Sequence, residues 1–203
     1  MKLSDVVDLE VNGLFVLLNG KPLSGKHYRF TDLKGTYPLK FESEEVAFIE
    51  YKITEAEGFT YSLFIIPPKL VGGFYVKTTA HKSSDDVIQL IWGRGAVLAH
   101  YLNSDLSVSI KSGLFSPMET VKVGKDWIYT LYNFGNEKTV FLVKYKEPWL
   151  NTSFIKKNEG EAFFFKSDGS TIKNTNYLVA DINEFVPSQK SLLRELEDLI
   201  YNA

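Results

Sequence analysis

Over most of this chain the apolar positions come in short runs, many of them alternating with polar ones, and not at the spacing of long amphipathic helices. Runs rich in branched and aromatic side chains, bounded by Gly, Asn, Asp, Ser and Pro, predict strands. They fall at Leu14–Leu18, Tyr28–Thr31, Val46–Thr54, Phe59–Ile66, Phe74–Thr79, Leu106–Lys111, Trp127–Phe134, Lys138–Lys146, Ala162–Lys166 and Tyr177–Ile182. The link Phe134-Gly135-Asn136-Glu137 joins two strong runs and predicts a hairpin over Trp127–Lys146. In its second arm Val140, Leu142 and Lys144 alternate with Phe141, Val143 and Tyr145. Both faces are therefore largely apolar, which predicts a central strand covered on both sides. Asn19-Gly20 and Asp168-Gly169 can supply the positive φ angles of tight turns.

The stretch Asp85–Leu102 fits a helix by spacing, but Gly93 and Gly95 would each cost about 1 kcal/mol in that helix interior. Two strands broken at Gly93-Arg94-Gly95 fit better. One clear helix is predicted, over residues 188–201, with Ser188 as N-cap after Pro187 and with Leu192, Leu193, Leu196, Leu199 and Ile200 on one side. Burying those five is worth roughly 1.5–3 kcal/mol each, enough to dock the helix onto its own sheet or onto another subunit. Pro117 and Pro148 interrupt strand patterns, yet composition does not shift across either. The expectation is a single domain over 1–203, mainly β within the α+β class. Its antiparallel sheets should form a sandwich or barrel with one C-terminal amphipathic helix.

Composition narrows the classes. The 203 residues are 44% hydrophobic and 14% aromatic, enough apolar surface to offset the entropy of ordering. Basic and acidic residues number 23 and 25, and each half of the chain is nearly neutral, which argues against a coat for phosphate backbones. With no cysteine, disulfides, thiolate metal sites and cysteine nucleophiles are excluded. The acidic start MKLSDVVDLE is unlike a signal peptide, and no apolar run approaches the roughly 20 residues of a membrane helix. A cytoplasmic protein without a membrane role is expected. Two Gln, two Met and no Cys lean toward a thermophile, against which stand Asn12-Gly13 and Asn19-Gly20.

Few motifs suggest chemistry. Gly20-Lys21-Pro22-Leu23-Ser24-Gly25-Lys26-His27 has phosphate-loop spacing, but His27 stands where a magnesium-binding hydroxyl is needed. A strand-like run follows where a helix should begin, so a turn between strands is the better reading. His27, His81 and His100 are far apart in sequence, although folding could gather them beside Asp85 or Asp86. The pairs Glu44-Glu45 and Asp85-Asp86 would point to opposite faces of a strand, which is not the geometry of an acid–base pair. Aromatics interleave with cations at His27–Phe30, Gly73–Lys77 and Lys144–Lys146, a pattern that can stack bases but that core packing also produces.

Only Arg29, Arg94 and Arg194 are arginines. The length, the excess of Lys over Arg, the absence of Cys, the aromatic β runs and the terminal helix together resemble the accessory seventh subunit of archaeal type III-B CRISPR RNA-guided effector complexes. That resemblance implies a non-catalytic homodimer attached to an antiviral ribonucleoprotein, with protein partners and at most indirect RNA contact. It implies no catalytic residue, metal ligand or cofactor. Arg94, Trp92, Trp149, Lys77 and Arg29 are the candidate interaction residues, with Trp127 as a further anchor. The alternative is a small metal-dependent enzyme or ligand-binding protein with a loop-built site around His81, Asp85, Asp86 and His100. An accessory protein of a virus or mobile element is physically the same as the first reading.

Overall fold

The computed structural model describes residues 1–4, 6–39, 43–146 and 153–202. Five short strands come first: β1 (Lys2–Ser4), β2 (Leu9–Asn12), β3 (Phe15–Leu18), β4 (Lys21–Pro22) and β5 (Lys26–Arg29), followed by a 3-10 turn at Phe30–Leu33. Next are β6 (Val46–Ala56), β7 (Phe59–Ile66), β8 (Leu70–Val71), β9 (Phe74–Tyr75) and β10 (His81–Lys82). The middle of the chain forms β11 (Val87–Trp92), β12 (Gly95–Leu102), β13 (Val108–Phe115), β14 (Thr120–Lys122), β15 (Ile128–Asn133) and β16 (Thr139–Tyr145). After α1 (Ser153–Lys157) come β17 (Phe163–Phe165), β18 (Thr171–Lys173), β19 (Val179–Glu184) and α2 (Leu192–Tyr201).

Two large sheets face each other. One has the order β14-β11-β16-β7-β6-β5 and the other β10-β15-β12-β13-β19. Among the described residues the ladders are antiparallel apart from β13–β19, which runs parallel. Phe48, Phe64, Ile88 and Phe141 from the first sheet meet Val97, Ala99, Tyr129 and Leu131 from the second in the central core. On the far side of the six-stranded sheet, Tyr61, Leu63, Val140 and Leu142 pack under the β1–β4 meander and α2. On the far side of the five-stranded sheet, Ala96, Leu98, Ile110 and Tyr132 pack beneath residues 154–179, termed the cover. The β16 strand is buried on both faces, as its double apolar alternation predicts.

Two predicted connections differ in kind. Val87–Trp92 and Gly95–Leu102 are indeed separate strands, yet they lie in different sheets. The predicted hairpin over Trp127–Lys146 is likewise not a hairpin, because β15 pairs with β12 and β10 while β16 pairs with β11 and β7. Both links are corners of the sandwich, and they rest on each other. The Arg94 carbonyl accepts from Phe134 N (2.8 Å) and Thr139 Oγ1 (3.2 Å). The Asn133 amide donates to the Ile66 (2.9 Å) and Glu137 (2.7 Å) carbonyls. Glycine is required here: Gly93 has φ +87°, and a Cβ on Gly95 would sit 2.3 Å from the Phe141 ring.

Smaller corrections follow from tertiary pairing. The helix begins three residues later than predicted, capped by Ser191, whose Oγ accepts from Arg194 N at 3.2 Å. Ser188 is instead drawn into a bridge with Thr120 through two backbone bonds of 2.8 and 2.9 Å. Docking of the helix onto its own sheet is observed, with Leu192, Leu193 and Leu196 buried. The run Phe74–Thr79 shrinks to two strand residues, and Tyr28–Thr31 ends in the 3-10 turn.

Candidate functional site

The four residues predicted to converge are divided by a sheet. His81 lies in the central core, its ring 5.3 Å from Phe64 and 5.1 Å from Tyr129. His100 points to the other face, 5.7 Å from the Tyr177 ring of the cover. Asp85 is half-exposed and pairs with Lys122 at 3.0 Å. Asp86 is buried, and its Oδ2 accepts from the Tyr129 hydroxyl at 2.9 Å, so His81 and Asp86 share one tyrosine. Burial raises the Asp86 carboxyl against the hydrogen bonds from Ser84 and Tyr129 that oppose it. Burial, helped by the charge of Lys26, holds His81 well below the usual imidazole range.

A second carboxylate shares this interior. Glu50 accepts from Tyr145 at 2.5 Å and from Tyr28 at 3.0 Å, and Ser62 lies 3.3 Å from the Tyr145 hydroxyl. These carboxylates have their oxygens engaged by fixed hydroxyls and are closed in by aromatic rings, which is the condition of a satisfied structural network. Among the described residues no three His, Cys, Asp or Glu side chains gather where a metal ion could be held.

Lys77, predicted to lie on an interaction surface, is fully buried. Its ammonium donates to Glu161 and to the Thr36 carbonyl, the latter at 2.6 Å, and lies 4.6 Å from the Tyr37 ring centre. Glu161 also accepts from Thr130 Oγ1 (2.7 Å) and the Tyr132 hydroxyl (2.6 Å). Beside it, Ala162 N donates to His100 Nε2 at 3.0 Å, and Tyr177 donates to the Gly160 carbonyl at 2.6 Å. Burial lowers Lys77 against the opposing pull of Glu161, and burial takes His100 down to about 4. The knot ties the cover to the outer face of the five-stranded sheet. A Lys in an aromatic-rich run gives no local sign of a carboxylate 84 residues away.

Where the cover ends, that outer face opens into a groove of about 580 Å³. The strands β12 and β13 supply Ala96, Ser112 and Leu114 to its floor, and the cover supplies Phe165 and Gly169. Phe134 comes from the corner, and Glu184, Phe185 and Pro187 come from the end of β19. The walls are braced: Phe134 packs edge-on against Phe165 at 5.2 Å and lies 4.5 Å from Tyr75. Phe185 N donates to the Ser112 carbonyl at 3.0 Å, fixing the β19 side. Leu114, Ile182 and Val186 are exposed nearby at 56%, 59% and 89%. These residues come from five separate stretches, so no local motif marks them.

The other predicted interaction residues lie elsewhere. Trp92 and Arg94 are exposed at the β11–β12 corner, and Arg29 is exposed with its guanidinium against Glu44. Trp127 is partly buried, with its ring 5.5 Å from Tyr101 and 5.3 Å from the Lys111 ammonium. Trp149 lies outside the described residues.

No family model matches the sequence, and no curated protein matches it. Among solved structures, a cupin domain from Bordetella pertussis is similar over 50% of this chain and 95% of its own, at 14% identity and TM-score 0.36. An RmlC-like cupin family protein with a double-stranded β-helix fold from Methanocaldococcus jannaschii is similar over 53% and 86%, at 13% identity and TM-score 0.37. For the coconut allergen cocosin the figures are 49% of this chain and 28% of that one, at 17% identity and TM-score 0.38. The chain thus spans under a third of the cocosin chain. Likenesses this distant assign it neither substrate nor partner.

Proposed function

We propose that the protein is a ligand-binding β-sandwich that takes a small, largely apolar organic molecule in the groove beside the cover. The observation that carries this is the groove itself: about 580 Å³, walled by Phe134, Phe165 and the segment 184–187, with Ser112 and Glu184 as its only polar side chains among the described residues. Small-molecule sites have this size and make-up, an apolar lining with a few placed polar groups on a rigid frame. The groups best suited to proton transfer support binding without turnover, because His81 and Asp86 are enclosed in the central core while Lys77 and Glu161 are consumed beneath the cover.

A fragment library followed by backbone amide NMR tests the proposal. Shifts should concentrate at Ala96, Ser112–Leu114, Phe165 and Glu184–Phe185, and S112W, which fills the groove from a half-buried position, should abolish them without lowering the melting temperature. Shifts that map elsewhere, or that persist in S112W, would refute it.

A further inference from the structure

We infer that the groove's ligand is an organic cation, an alkyl- or arylammonium ion with an apolar body. This rests on the groove being a binding site and adds the charge of what it binds. Among the described residues Glu184 is the single ionisable side chain of the lining, and it is exposed. Among the described residues no hydrogen bond or ion pair engages its carboxylate. Lys166 of the cover is committed elsewhere, pairing with Asp168 at 3.1 Å.

Two phenylalanine rings, Phe134 and Phe165, share the groove with this carboxylate. A ring presents negative charge on its face and attracts a cation held over it. The carboxylate and the rings therefore act in the same direction. An anion would meet both with the wrong sign. A neutral ligand would strip water from Glu184 without giving it a partner, which is a cost that an ammonium group removes. The wall positions are set by ring–ring packing and by the Phe185–Ser112 backbone bond, so the site needs little ordering to receive a ligand.

The test titrates the full chain at low salt with benzyltrimethylammonium, 2-phenylethylammonium, neutral 2-phenylethanol and the anion 3-phenylpropionate, read by groove amide shifts. Both cations should bind at least fivefold more tightly than 2-phenylethanol, and the anion more weakly than the alcohol. Glu184→Gln, at an exposed position, should weaken both cations at least fivefold and so erase the preference. Phe165→Leu should weaken the cations more than the alcohol. If the alcohol matches the cations, or if Glu184→Gln leaves the cation affinity intact, the inference is overturned while the groove remains a binding site. If no probe shifts the groove amides, the binding-site reading falls with it.

Discussion

Glu161→Gln removes the charge that balances Lys77 while keeping the side chain's shape. Lys77 then has two options, both unfavourable. It can remain charged and buried, which in other proteins costs about 3–5 kcal/mol once the partner is removed. It can instead release its proton, which at pH 7 costs about 1.4 kcal/mol for each of the roughly 3.4 units below its ordinary pKa, or about 4.6 kcal/mol. The cheaper route sets the penalty, so the loss at pH 7 is about 3–5 kcal/mol. For a chain of 203 residues that corresponds to a melting temperature lower by about 6–20 °C. On the second route Lys77 is neutral in the folded state and protonated in the unfolded one below about pH 10.4. The unfolded chain then binds more protons, so stability rises with pH, and the deficit at pH 9 is smaller than at pH 7 by up to about 2.7 kcal/mol. Urea unfolding of both proteins at the two pH values measures this. The double variant Lys77→Met/Glu161→Leu should be more stable at pH 7 than Glu161→Gln alone, since no charge is left behind. A deficit under 1 kcal/mol, or a double variant no better than the single, would refute the account of the knot.

Acid should weaken the fold through His100. Its folded pKa of about 4 lies below the ordinary 6.5, so the native state excludes a proton that the unfolded chain takes up. The stability lost as pH falls from 6.5 to 4 is about 3 kcal/mol, with His81 acting in the same direction. His100→Gln should show a shallower decline over that window in urea unfolding, and an unchanged slope would assign the acid sensitivity to other groups. Gly95→Ala drives a methyl to 2.3 Å from the Phe141 ring and should cost about 1–3 kcal/mol, read as a lower urea midpoint. Leu196→Ala, fully buried on the docked face of α2, should cost about 2–4 kcal/mol; a loss below 1 kcal/mol would mean that the helix is only loosely docked.

Strand content, the buried-on-both-sides character of β16, the break at Gly93-Arg94-Gly95 and a C-terminal amphipathic helix were legible in the chain, because each depends on side chains within a few residues of one another. Periodicity reports which faces are apolar, and it does so before any partner strand is known. It does not report which strand lies alongside. Residues 134–137 read as a hairpin loop, and the corner that forms instead depends on Asn133 meeting the Ile66 carbonyl, 67 residues away. The same limit hides Glu161 from Lys77 and separates His81 from His100, which attach to opposite faces of one sheet through their contacts with Phe64 and Tyr177. It hides the groove as well, whose walls come from five stretches that share no local pattern. Alternation along a strand is a short-range property of the backbone. Sheet order and the meeting of distant side chains come from burying all apolar faces at once, a condition on the whole chain that no single window expresses.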